Sequence, residues 1–193
     1  MQPREPTRRL FFALWPDEGA RAALIAASGA AVSASAARAV PAGNLHATLA
    51  FLGSVPQRRI GELEDVARRV AGTLVPESPL VLHFDELAHW AGPRILVALC
   101  AAESRGAHAL AQLLKTETQA AGFAPDLKPF HAHVTLGRKV GRAPAVPMAH
   151  AVKWSFDGFA LVESRTTAEG AAYSVTQSYL LVKREKAHRQ AQN

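Results

Sequence analysis

Two histidines in a repeated tetrapeptide are the residues of this chain best suited to chemistry. The first copy is His46-Ala47-Thr48-Leu49 and the second is His133-Val134-Thr135-Leu136. Side chains alternate between the faces of a strand, so each His shares a face with its Thr, roughly 7 Å along, and the apolar residues anchor the other face. One His-x-Thr is most often a structural pair, but two copies, each followed by Leu and preceded by turn-rich sequence, indicate a functional site.

Such a pair of histidines is suited to proton transfer at a phosphate. Imidazole titrates near pH 6.5, so one histidine can accept a proton from water while the other, charged, donates one to a leaving oxygen. The hydroxyls of Thr48 and Thr135 can bond the non-bridging oxygens, where negative charge accumulates. Because this chemistry requires neither a metal nor a cofactor, we predict none.

Composition limits the classes of protein to consider. About half of the 193 residues are apolar, enough for a sizeable core. The net charge of +6 favours an anionic partner such as RNA, although the same charge would also keep a soluble protein dispersed. Cys100 is the only cysteine, which excludes an intrachain disulfide and a thiolate metal cluster. No apolar run approaches a membrane span, so we expect no membrane contact and a cytoplasmic location.

Strands and helices are mixed without a regular βαβ rhythm, which predicts an α+β fold with antiparallel sheets. The periodicity predicts strands over Leu10–Trp15, Leu45–Leu52, Leu80–Leu87, Ile95–Ala102, Phe130–Leu136, Val152–Val162 and Ala172–Val182, and helices over Ala20–Ala37, Gln57–Leu74 and Ala107–Ala121. The third and fourth strands are expected to pair as a hairpin. We predict one domain over residues 1–183, followed by a basic, polar tail over residues 184–193.

The two motifs with their flanks resemble the two-histidine phosphoesterase superfamily. Within it, the match is to the bacterial and archaeal RNA 2',3'-cyclic phosphodiesterases, historically called 2'-5' RNA ligases. The likeness extends over nearly the whole chain, and its most specific parts are Asn44–Gly53 and Pro129–Arg138. Supporting segments are Arg9–Ala13 and Leu161–Ser164, the latter with Gly170 and Tyr173 beyond it.

The resemblance implies both a fold and a reaction. The fold would be bilobal and pseudo-two-fold, with two antiparallel sheets lining a central cleft and helices on the outside. The reaction would be hydrolysis of an RNA terminal 2',3'-cyclic phosphate to a 2'-phosphate, with reversible 2'-5' ligation. By this analogy His46 is the proton donor to the departing 3' oxygen, and His133 is the proton acceptor that activates water.

Three further residues are candidates for binding the substrate. Arg138 follows the second motif and could hold a phosphate through two parallel bonds. Arg9, at the start of the first strand, and His131, two residues before His133, are weaker candidates. The chain departs from the family at Ala132, where Pro is usual, and at Leu96-Val97, where a Trp is common, so a stacking contact is in doubt there.

Several alternatives remain open at this point. His46, His131 and His133 could form a three-histidine metal site. The substrate could be a small cyclic nucleotide or an ADP-ribose-type cyclic phosphate, or the cleft could bind RNA without turning it over. On the main interpretation the partner is an RNA with a cyclic phosphate end, such as a tRNA fragment, and we expect a monomer that needs no protein partner.

Overall fold

The computed structural model describes residues 5–74, 80–102, 104–168 and 170–181. Within them the chain has the predicted α+β fold, and its paired strands are antiparallel. The strands are β1 (Thr7–Leu14), β2 (Arg38–Ala39), β3 (Ala47–Pro56), β4 (Leu80–Phe84), β5 (Glu86–Trp90), β6 (Ile95–Leu99), β7 (His133–Arg138), β8 (Val152–Phe156), β9 (Gly158–Thr167) and β10 (Gly170–Leu180). The helices are α1 (Glu18–Ala34), α2 (Ile60–Thr73) and α3 (Arg105–Ala120), with short 3-10 helices at Ala42–Asn44 and Gln57–Arg59.

Two four-stranded sheets form the two lobes. One has the order β10-β9-β1-β3, so the first motif lies at its edge; the other has the order β2-β7-β6-β5 and carries the second motif on β7. Strands β3 and β7 contact each other, so the motifs meet where the two sheets converge. A separate two-stranded sheet of β4 and β8 also forms, which the prediction of two sheets did not include.

Helix α1 begins and ends through specific caps. The Asp17 carboxylate accepts a hydrogen bond from the Ala20 N–H at 2.7 Å, which satisfies a donor that the first turn leaves free. The helix ends at Ala34, three residues earlier than predicted. Its alanines favour a longer helix, but the Ser35 hydroxyl bonds back to the last turn and Ala36 adopts a left-handed conformation with φ of 52°.

The first sheet buries one face against the helices and turns the other toward the cleft. On the helix side, Leu10, Phe12 and Leu14 are at most 1% exposed and belong to the main core. Burying each such side chain contributes about 1.5–3 kcal/mol. On the opposite face, Phe11 and Ala13 form a smaller cluster with neighbours on β9. Partly buried aromatic rings border that cluster, namely Trp15, Phe51 and Tyr173.

The predicted strand Leu80–Leu87 is wrong, because the chain breaks at Asp85 into β4 and β5. The Asp85 carboxylate accepts a hydrogen bond from the Ala101 N–H at 2.9 Å, so this residue bonds outside a regular ladder. Strand β4 then pairs with β8 rather than with β6, while β5 pairs with β6. The predicted hairpin therefore forms only between β5 and β6.

The predicted strand Val152–Val162 is also wrong, because it splits into β8 and β9 at Asp157. The Asp157 carbonyl accepts a hydrogen bond from the Leu181 N–H at 2.9 Å. Gly158 lies so close to the neighbouring strand that a Cβ there would be 2.1 Å from the Tyr179 carbonyl oxygen. The close approach at glycine lets the chain pass from one sheet to the other.

Strand boundaries next to the motifs also differ from the prediction. The first motif strand begins at Ala47 rather than Leu45, and the second begins at His133 rather than Phe130. In the first case a 3-10 turn over Ala42–Asn44 immediately precedes the motif. The sequence did not predict β2, whose two residues pair with the end of β7.

The predicted tail, residues 184–193, lies outside the described residues, as does Val182 at the end of the last predicted strand. The domain boundary after residue 183 therefore stays a prediction. Among the helices in the described ranges, none combines the length and the apolar character needed to cross a bilayer.

Candidate active site

The two motifs line one small cavity between the lobes. His46 and Thr48 reach it from the first sheet, and His133 and Thr135 reach it from the second. The cavity has a volume of about 100 Å³, and its walls are completed by Val40, Asn44, Arg138 and Tyr173. The structure thus brings together the polar residues of two motifs that lie more than 80 positions apart in the sequence.

The apolar residues of both motifs are buried behind this cavity, as strand alternation predicts. Ala47 and Val134 are 0% exposed, and Leu49 and Leu136 are at most 4% exposed. These anchors belong to the main core. Each motif therefore presents its His and Thr from a backbone that packing holds in place.

Each histidine ring is oriented by the same kind of bond. The Nδ1 of His46 lies 2.7 Å from the carbonyl oxygen of Asn44, and the Nδ1 of His133 lies 2.7 Å from that of His131. A carbonyl can only accept, so Nδ1 carries the hydrogen in both rings and Nε2 is the unprotonated nitrogen of the neutral form. Both rings therefore keep Nε2 for proton exchange with a ligand.

His46 is enclosed by aromatic rings. Its ring centroid lies 4.9 Å from that of Phe11, 5.5 Å from that of Trp15 and 5.0 Å from that of Tyr173. Its Nε2 lies 3.1 Å from the Thr48 hydroxyl oxygen. Because the neutral Nε2 lacks a hydrogen, the Thr48 hydroxyl donates this bond.

This enclosure strongly favours the neutral form of His46. Burial is the largest cause and lowers the pKa of His46 to about 4. The bond to the Asn44 carbonyl opposes the shift, whereas the positive charges of Arg138, Arg21 and a protonated His133 add to it. In the free protein near neutral pH, His46 is therefore uncharged.

His133 has a different neighbour, the indole of Trp90. The two ring centroids are 4.6 Å apart. Trp90 stands on the edge strand β5, opposite Ile95 of β6. Burial lowers the pKa of His133, and the bond to the His131 carbonyl partly offsets this. The two ring planes are inclined by 54°, so Trp90 borders His133 without stacking flat on it.

The three candidates for binding the substrate lie in three different places. Arg138 lines the cavity itself. Arg9 is exposed on the first sheet, with its guanidinium 4.8 Å from the ring centroid of Phe51, and it is not among the cavity-lining residues. His131 contributes its carbonyl to His133, while the residue lines a neighbouring, mainly apolar pocket with Cys100.

Five residues around the site were not predicted as site residues. Asn44 and Tyr173 belong to segments that support the family resemblance. Their place in those segments could have identified them as candidates for the site. The positions of Phe11 and Trp15 beside His46 can be deduced only once the register of β1 and β3 is known. Trp90 had no comparable signal, because its contact with His133 depends on the fold of an edge hairpin.

The arrangement of side chains gives no support to a three-histidine metal site. Within the described ranges, no three His, Cys, Asp or Glu side chains are grouped so that they could hold a metal ion. Cys100 is also unsuited to nucleophilic chemistry, because burial raises the pKa of its thiol to about 11. The reactive groups that the cavity offers are the two imidazoles.

Comparisons with known proteins point in the same direction. A sequence model of the 2'-5' RNA ligase superfamily matches residues 16–168. An RNA 2',3'-cyclic phosphodiesterase from Thermus thermophilus is 31% identical over 191 residues, covering 95% of each chain. A protein of the same name from Escherichia coli is 30% identical over 149 residues, covering 77% of this chain and 81% of its own. The crystal structure of E. coli LigT complexed with 3'-AMP superposes with a TM-score of 0.77 at 27% identity, covering 91% of this chain and 99% of that chain.

Proposed function

Because the chain belongs to the 2'-5' RNA ligase superfamily, we propose that it hydrolyses a terminal 2',3'-cyclic phosphate of RNA to a 2'-phosphate. The observation that carries the proposal is the pair of carbonyl-anchored imidazoles, His46 and His133, on one cavity between the lobes. Two relatives named for this activity, at 31% and 30% identity, support the choice of substrate.

The reaction uses the two histidines on opposite sides of the phosphorus. Nε2 of His133 takes a proton from water as the water oxygen bonds to phosphorus. The bond from phosphorus to the 3' oxygen breaks, and Nε2 of His46 gives that oxygen a proton. The phosphate stays on the 2' oxygen, and the two histidines exchange protonation states. Each transfer contributes on the order of 10²- to 10⁴-fold to the rate.

The threonines and Arg138 act on the charge of the phosphate. Once His46 is protonated, its Nε2 no longer accepts a hydrogen bond from Thr48, so the hydroxyls of Thr48 and Thr135 on this cavity can both donate to non-bridging oxygens. Arg138 brings a permanent positive charge to that wall. The bound phosphate in turn opposes the depression of the His46 pKa, since an anion beside an imidazole favours its charged form. Substrate binding thereby supplies the protonated donor that the free protein lacks.

The same cavity can run the reaction with a different nucleophile. If the 5'-hydroxyl of a second RNA replaces water, its attack with departure of the 3' oxygen makes a 2'-5' linkage. We include this reversible ligation in the proposal, with tRNA fragments as substrates and a monomer as the acting species. The reaction as written needs no cofactor and no metal.

Substitution of each histidine tests the mechanism. We expect His46→Asn and His133→Asn each to lower kcat by on the order of 10²- to 10⁴-fold on an oligonucleotide with a cyclic phosphate end, in excess EDTA. His150→Asn is the matched control, because His150 is exposed and lies outside the cavity. Full activity in either motif variant, or loss of wild-type activity in EDTA, would contradict the mechanism.

A sulfur-substituted substrate separates the roles of the two histidines. A cyclic phosphate with sulfur in place of the 3' oxygen releases a thiolate, which needs no proton to leave. We expect this substrate to restore turnover to His46→Asn and to leave His133→Asn inactive. If turnover were instead restored to His133→Asn and not to His46→Asn, His133 would be the proton donor and His46 the acceptor.

A further inference from the structure

A second groove opens directly from the catalytic cavity. It has a volume of about 350 Å³ and shares four lining residues with that cavity, namely Val40, Asn44, Arg138 and Tyr173. Two of these residues contact His46, Asn44 through its carbonyl and Tyr173 through its ring. The groove therefore continues the cavity on the side of His46.

The groove has a strongly basic wall. Arg38, Arg138 and Lys139 line it, and none of its described lining residues is acidic. Arg38 stands directly opposite Arg138 in the ladder between β2 and β7. Both residues are thus neighbours across the ladder, and both line the groove.

The backbone at this end of the sheet is also unusual. Lys139, directly after β7, has φ of 56°, and Ala36, shortly before β2, has φ of 52°. Residues other than glycine rarely adopt this left-handed backbone conformation, and such conformations concentrate at binding and active sites. Here they bracket the two strands that carry Arg38 and Arg138.

The pocket on the side of His133 differs in character. It is lined largely by apolar groups, including Leu99, Phe130 and Ala132, and it contains no Lys or Arg among its described lining residues. That pocket offers a chain of phosphates no Lys or Arg side chain. The two ends of the cleft therefore differ in charge, and the end beside His46 is the one with cationic side chains.

We propose that the basic groove binds the phosphodiester backbone of the nucleotides that precede the terminal cyclic phosphate. This inference rests on the proposed function, in which His46 serves the 3' oxygen of the last ribose. The ribose and the chain attached to it then lie on the His46 side, where the groove begins. Arg138, which lines both spaces, stands between the terminal phosphate and the one before it.

A double variant tests the groove without touching the catalytic cavity. Arg38→Ala combined with Lys139→Ala removes two cations that line the groove but not the cavity. We expect KM for an oligonucleotide with a cyclic phosphate end to rise about tenfold, and turnover of a nucleoside 2',3'-cyclic phosphate to change less than about twofold. The slope of log affinity against log salt should fall by about 1.4, since each single-strand phosphate contact contributes about 0.7.

The control variant carries the same loss of charge elsewhere. Arg69→Ala combined with Lys153→Ala removes two exposed cations outside the groove. This variant should leave KM for the oligonucleotide and turnover of the nucleoside cyclic phosphate unchanged. Lys139→Gly tests the cation separately, because glycine accepts positive φ and this variant should fold at least as well as the wild type. It should weaken oligonucleotide binding by itself.

Binding is also measured by fluorescence anisotropy with an oligonucleotide that ends in a 2'-phosphate. Equal affinity and equal salt slope in the groove variant and its control would overturn the inference, as would equal losses on the oligonucleotide and the mononucleotide. Absence of wild-type turnover on both substrates would instead count against the proposed function. If turnover is absent, the anisotropy measurement still tests whether the groove binds the oligonucleotide.

Discussion

At the scale of single residues, the two histidines have matching chemistry and different surroundings. Each ring gives Nδ1–H to a carbonyl two residues earlier and keeps Nε2 for the cavity. His46, however, is packed among Phe11, Trp15 and Tyr173, whereas His133 lies against Trp90. This difference in enclosure gives the two nitrogens different proton affinities.

The depressed pKa values predict an acidic optimum for the free protein. The proposed reaction needs His46 charged and His133 neutral, yet the pKa of His46 is about 4 and that of His133 also lies below its ordinary value of about 6.5. The fraction of free protein in that state is greatest midway between the two pKa values. We therefore expect kcat/KM to be bell-shaped with its maximum below about pH 6.5.

The profile of kcat should lie at higher pH than that of kcat/KM. It reports the complex, in which the phosphate raises the proton affinity of the imidazoles. Initial rates on a cyclic-phosphate oligonucleotide over a range of pH give both profiles. Coincident profiles, or a maximum of kcat/KM on the alkaline side of neutrality, would show that burial does not control these histidines as described.

The sequence predicted part of this site. The types and spacing of His46, Thr48, His133 and Thr135 indicated their shared faces, because strand alternation is a local property. The aromatic enclosure of His46 could not be predicted, since it depends on the register between β1 and β3 and on β10 beyond them. The contact of Trp90 with His133 likewise depends on long-range packing.

At the scale of elements, the predicted strands failed where the chain changes sheets. Hydrophobic runs through Asp85 and Asp157 look continuous in the sequence because apolar residues stand on both sides of each break. Each break is accompanied by a hydrogen bond to a residue distant in sequence, Ala101 or Leu181, and hydrophobic periodicity does not report such bonds. The helices were predicted more closely, because caps such as Asp17 and breakers such as Gly122 are local signals.

Gly158 is the element-scale feature with the clearest consequence. In Gly158→Ala, the new Cβ would lie 2.1 Å from the Tyr179 carbonyl oxygen, so β9 and β10 must separate. We expect the free energy of unfolding to fall by on the order of 1–3 kcal/mol in urea denaturation.

Gly29→Ala is the matched control, because Gly29 lies within α1 and a Cβ there meets nothing within 4 Å. That change should stabilise the protein by up to about 1 kcal/mol. Equal stability of the two variants would mean that the close approach of β9 and β10 is not required.

At the scale of the whole molecule, the candidate active site exists only because two lobes converge. The first sheet contributes one imidazole and the second sheet the other, and β3 meets β7 at the cavity. The bilobal arrangement followed from the family resemblance, whereas composition and periodicity indicated only α+β with antiparallel sheets. The basic groove could not be predicted, since it joins residues of β2, β7 and β10 that local patterns do not connect.

The central claim is that the cavity opens a cyclic phosphate with departure of the 3' oxygen. The most direct test is incubation of the wild-type protein, in excess EDTA, with an oligonucleotide that ends in a 2',3'-cyclic phosphate, followed by identification of the product end. We predict a 2'-phosphate as the product. A 3'-phosphate, or a cyclic end that stays intact over a long incubation, would contradict the account.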